Sequence, residues 1–128
     1  MGNEAPRLVT VVLVVSNLDR AVELYSAGFG LDLHIDDHAG PDPWTTGRHA
    51  AISWTNGAFM HFALYETKDG SRTSGAQVAF RVADLDAAHQ RATGAGAEVL
   101  HAPLPQTWGR SARYQDLDGN VIELTQST

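Results

Sequence analysis

The side chain that most needs an explanation is Glu123, in the run Val121-Ile122-Glu123-Leu124-Thr125 near the end of the chain. Such a run reads as a strand whose side chains alternate between two faces. Ile122 and Leu124 share one face; Val121, Glu123 and Thr125 share the other. A carboxylate among apolar neighbours has two readings. Its face is the wet side of an antiparallel sheet, or it lines a cavity in which Glu123 serves as a ligand or a base. Histidine is the natural partner for such chemistry, and the chain carries His34, His38, His49, His61, His89 and His101. His61 lies in a second strand-like run, Phe59 to Tyr65. There it shares a face with Phe59, Ala63 and Tyr65, opposite Met60, Phe62 and Leu64. The absence of cysteine removes disulfides, thiolate metal sites and cysteine nucleophiles. No Ser/His/Asp arrangement, P-loop or GxGxxG motif occurs, and Gly28-Phe29-Gly30 merely ends a helix.

Composition narrows the partners. The 128 residues are one domain's worth of chain, with 9 Lys and Arg against 15 Asp and Glu, a formal charge of −6. Nucleic acids and anionic membranes reward clustered cations, and the sequence has no such cluster. Residues Met1 to Arg7 lack a signal-peptide pattern, and the apolar run Val11 to Val15 is too short to cross a bilayer. The expectation is a soluble, cytoplasmic protein.

Several elements must position Glu123 and His61. Leu8 to Val15 is a β-branched run that predicts a buried strand. Ser16-Asn17 offers an N-cap for a helix over Leu18 to Tyr25, ended by Gly28 and Gly30. Leu31 to Ile35 reads as a second strand, and Asp36 to Thr46 as a long loop carrying Trp44. Arg48 to Thr55 and Phe59 to Tyr65 form a hairpin around Asn56-Gly57. Lys68 to Ser74 is turn-rich and reads as a linker. The pattern then begins again. Gln77 to Asp86 repeats the grammar of Thr10 to Asp19, each time a strand running into a capped helix that opens with Leu-Asp. The second helix ends at Gly94 and Gly96. Ala97 to Leu100 mirrors Leu31 to Ile35, and a final hairpin closes at Asp118-Gly119. Each half reads strand-helix-strand-strand-strand, and neither could bury its sheet alone.

With those residues in view, the chain resembles the vicinal oxygen chelate superfamily, which includes glyoxalase I, bleomycin resistance proteins and extradiol dioxygenases. The resemblance rests on Val15-Ser16-Asn17-Leu18-Asp19-Arg20-Ala21 with Tyr25 and Gly28-Phe29-Gly30-Leu31. Val82-Ala83-Asp84-Leu85-Asp86 with Gly94-Ala95-Gly96-Ala97-Glu98-Val99 carries it in the second half. The most telling piece is Asp116-Leu117-Asp118-Gly119-Asn120-Val121-Ile122-Glu123-Leu124. It implies an α+β fold of paired βαβββ modules, over residues 8–66 and 75–126 of a single domain spanning 1–128. Their curved mixed sheets are expected to enclose a cavity.

The resemblance also implies a site. Metal-dependent relatives hold a divalent ion by one residue on the first and one on the last strand of each module. The matching positions here are Thr10 and His61, then Gln77 and Glu123. Threonine and glutamine are poor transition-metal ligands, and two strong donors fall short of the usual three. Two functional classes follow. One is a metal-free protein that binds a small aromatic or amphipathic molecule in a homodimer cavity. The other is a divalent-metal-dependent lyase, isomerase or dioxygenase using His61 and Glu123. A cofactor-free enzyme with those two as acid and base is a third. Trp54, Phe59, Tyr65, Trp108 and Tyr114 are the candidate aromatic walls, though each could instead fill a core. In every reading the partner is a small molecule, with no nucleic acid or membrane involved.

Overall fold

In the computed structural model of the chain, residues 5–37 and 44–127 are described. His38 and the prolines of the expected loop lie outside them. The first module contains β1 (Thr10–Val15), α1 (Leu18–Glu23, widening into a π turn over Leu24–Gly28), β2 (His34–Asp37), β3 (Thr45–Trp54) and β4 (Met60–Thr67). The second contains β5 (Gln77–Arg81), α2 (Leu85–Gly94), β6 (Glu98–Gln106), β7 (Gly109–Gln115) and β8 (Val121–Ser127). Each forms a four-stranded mixed sheet, in the orders β1-β4-β3-β2 and β5-β8-β7-β6. First and last strands pair in parallel; the rest of each sheet is antiparallel. This is the expected α+β architecture of two βαβββ modules. The sheets themselves stay open, so the cavity expected within their curvature is not enclosed by this chain alone.

The repeated Leu-Asp opening of the helices has a physical reason. Asn17 and Asp84 cap the helices, accepting from the backbone N–H of Arg20 and Ala87 at 3.1 Å each. Leu18 and Leu85 are then fully buried. Asp19 reaches across to Arg48 on β3 at 2.9 Å, and Asp86 to Arg110 on β7 at 2.9 Å. These are the same interaction in the two modules, and Arg110 holds the Asp86 carboxyl below its usual range.

One face of each sheet contributes to a shared core. Leu13, Val15, Phe62 and Leu64 from the first sheet meet Ala112, Tyr114, Ile122 and Leu124 from the second around both helices. Ring contacts cross the junction: Phe62 meets Phe80 edge-on at 5.2 Å, and Phe29 meets Tyr114 at 5.7 Å. Fully burying such side chains contributes about 1.5–3 kcal/mol each. Because the helix-side faces pack toward one another, the opposite face of each sheet turns outward.

The Asp116 to Asn120 segment ties the two modules together. Asp116 Oδ1 accepts from the backbone N–H groups of Asp118 and Asn120 at 2.9 and 2.8 Å. Its Oδ2 accepts from the Tyr25 hydroxyl at 2.7 Å and Asn120 Nδ2 at 3.1 Å. Asp118 accepts from the Ser16 hydroxyl at 2.5 Å, and Asn120 Nδ2 also donates to the Thr73 carbonyl at 2.8 Å. The expected linker is thereby pinned: Thr73 also exchanges two hydrogen bonds with the backbone of Val14 on edge strand β1.

Candidate functional site

The outward face of the first sheet carries Thr10, Val12, His61, Ala63 and Tyr65. Strand register sets Thr10 beside His61 on neighbouring β1 and β4, and Ser53 beside His61 on β3. Ser53 Oγ lies 2.7 Å from His61 Nδ1, so the ring is held by a hydroxyl. The hairpin loop is Thr55 to Phe59, since Trp54 pairs with Met60. Phe59 therefore leaves the strand, and its half-exposed ring stacks with His61 at 6.3 Å. Further along, Tyr65 stacks on His49 at 4.7 Å and meets Trp44 at 5.6 Å. The result is a nearly continuous strip of rings beside one imidazole–hydroxyl pair.

The outward face of the second sheet is polar. The Glu123 side chain is 12% exposed, and its Oε1 accepts from Gln77 Nε2 at 3.3 Å. Arg113 Nε stands 3.8 Å away. A carboxylate this far removed from water requires compensation, and both contacts are long. It therefore retains capacity to accept from a ligand. Leu104 and Ser111, opposite each other on β6 and β7, continue this face.

Register corrects one equivalence. Thr10 pairs with His61, and its counterpart Gln77 pairs with Val121. The counterpart of His61 is therefore Val121. Glu123, opposite Ala79, matches Ala63, opposite Val12. His61 and Glu123 lie one side-chain repeat out of step, and the position matching Glu123 bears a methyl group. The donor set Thr10, Ala63, Gln77 and Glu123 does not fit a transition metal. Nor do three His, Asp or Glu side chains converge anywhere among the described residues.

The structure separates the remaining candidates. Tyr114 is fully buried on the helix side, 2.7 Å from His89 Nδ1, and burial pushes its phenol up to about 12. That takes it out of reach of anything on the outward face. Trp54 also lies on the helix side, near Phe80. Trp108 is half-exposed in the β6–β7 turn. No hydrogen bond or ion pair links His61 to Glu123 among the described residues. Sequence reasoning passed over Ser53; strand register, once known, places it beside His61.

The profile of the Glyoxalase/Bleomycin resistance protein/Dioxygenase superfamily matches residues 7–124. The chain belongs to this superfamily. Among solved structures, TnmS3, an antibiotic binding protein from Streptomyces sp. CB03234, is 27% identical over 97% of this chain and 98% of its own, with a TM-score of 0.73. A glyoxalase/bleomycin resistance protein from the same Streptomyces strain is 27% identical over 94% of this chain and 100% of its own, at a TM-score of 0.71. A glyoxalase I variant from Zea mays shares the fold at a TM-score of 0.72 and 23% identity, over 93% of this chain and 44% of that one. No curated protein matches the sequence. Among the described residues no helix is long and apolar enough to cross a membrane.

Proposed function

We propose that this superfamily member binds a planar aromatic or amphipathic small molecule, in the manner of an antibiotic-sequestering protein, in cavities built by a cytosolic homodimer. The observation that carries this reading is the pair of outward sheet faces, one ring-lined and the other bearing the nearly buried Glu123 carboxylate. Apolar side chains that a lone chain would leave half-exposed lie on them: Val12, Trp44 and Phe59 on the first, Leu104 on the second. The first face of one protomer laid against the second face of its partner would cover them and form two equivalent cavities. Aromatic burial would supply most of the affinity. Ser53–His61, Thr10 and the Gln77–Glu123–Arg113 cluster would orient the ligand. The likeness to TnmS3, whose name states antibiotic binding, supports the ligand class. No catalytic step is assigned.

Titration of a panel of planar aromatic antibiotics, followed by tryptophan fluorescence, tests this reading. Quenching is expected, with affinity falling about tenfold in His61→Ala and in Glu123→Ala. Binding indifferent to both substitutions would place the site elsewhere.

A further inference from the structure

A second concavity lies on the helix side, between the modules and apart from the outward faces. It is a groove of about 840 Å³ whose apolar wall includes Trp54, Met60, Phe62, Val78 and Phe80. Its polar lining is one-sided. Arg81, Arg91 and Asn56 contribute, and no aspartate or glutamate does. In a chain of net charge −6 that local excess of cations runs against the whole. Among the described residues neither guanidinium has an ion-pair or hydrogen-bond partner, whereas Arg48, Arg72, Arg110 and Arg113 all reach carboxylates. Arg91 lies over the backbone at the end of the first helix, where a Cβ on Gly30 would stand 3.3 Å from its Nη2. Arg81 borders the groove only through the backbone of edge strand β5, since its side chain alternates with Val78 and Phe80 onto the outward face.

We propose that this groove binds an amphipathic organic anion, its chain or ring against the Phe62–Phe80 wall and its carboxylate on the Arg91 guanidinium. Apolar burial supplies affinity, and charge-assisted hydrogen bonds from the otherwise unpaired Arg91 guanidinium select acid over alcohol. The groove lies on the helix side, apart from the outward faces.

Calorimetric titration of the full chain with decanoate and with decanol tests it. The expected result is one decanoate per chain, bound about tenfold more tightly than decanol. Arg91→Ala should weaken decanoate by about tenfold, narrowing the gap to decanol, whereas Arg81→Ala, on the outward face, should leave it unchanged. Val78→Trp, which fills the groove, should abolish binding of both, with thermal unfolding confirming that the variant folds. If that variant does not fold, Arg91→Ala decides the matter alone. Equal affinity for acid and alcohol would overturn the proposal. So would decanoate binding unmoved by Arg91→Ala, no binding at all, or binding lost in Glu123→Ala instead.

Discussion

Asp116 uses both carboxylate oxygens, and its four donors come from a buried phenol, an amide side chain and two backbone N–H groups. Removing it leaves buried donors without a partner, so Asp116→Ala should cost about 3 kcal/mol of stability, and Tyr25→Phe about 1 kcal/mol. Urea unfolding checks both; an Asp116→Ala variant as stable as the parent would contradict this account of the junction. The same burial sets an alkaline limit. Burial, then the Asp116 carboxylate, raises the Tyr25 phenol above its ordinary 10.0, and burial raises Tyr114 to about 12. Both are held protonated in the fold, whereas the unfolded chain releases those protons near 10.0. Their contribution is thus fully present below pH 10 and is lost as pH rises through 12 and beyond. Phenolate absorbance from these tyrosines should appear together with unfolding; ionisation in a chain that stays folded would contradict it. The sequence marks Asp116-Leu117-Asp118-Gly119-Asn120 as special but not why, because Tyr25 and Ser16 lie about a hundred residues away along the chain.

At the scale of elements, the strongest steric demand is at Gly109, which opens β7. Its φ is +149°, and an added Cβ would stand far inside van der Waals contact with the Gln126 carbonyl oxygen on β8. Gly109→Ala should therefore destabilise by roughly 2–4 kcal/mol. A variant unfolding within about 0.5 kcal/mol of the parent would show that the edge yields instead. Strand order and helix caps were legible, because hydrophobic period and capping are local properties. Edge strands were less so. The expected second strand at Leu31 to Ile35 is displaced to His34–Asp37, where every residue is exposed and all but Ile35 are polar. The expected Ala97 to Leu100 strand extends to Gln106 through Pro103 and Pro105. Edge position tolerates those prolines, since one side of the strand needs no donor. Register was the least legible. The five-residue loop from Thr55 to Phe59, rather than a tight turn at Asn56-Gly57, determines that His61 meets Ser53.

At the scale of the molecule, the arrangement of modules decides where a site can form. His61 and Glu123 sit on outward faces of one chain whose helix sides pack together, so they can share a cavity only across two chains. The sequence repeat made two similar sheets evident, but not which faces would meet, because both faces of each sheet carry apolar residues. Sedimentation at micromolar concentration should therefore give a dimer, and a persistent monomer would oppose the composite cavity. The most direct test is complementation between protomers. His61→Ala and Glu123→Ala dimers, each impaired in binding an aromatic ligand identified from the antibiotic panel, are dissociated, mixed and reassociated. If each cavity takes its first face from one chain and its second from the other, the mixed dimer regains one intact cavity and carries one doubly altered. High-affinity binding should then return at about one site per mixed dimer. Recovery of no high-affinity site in a verified mixed dimer would place both residues in a cavity of the same chain, or outside the site altogether, and would contradict the account.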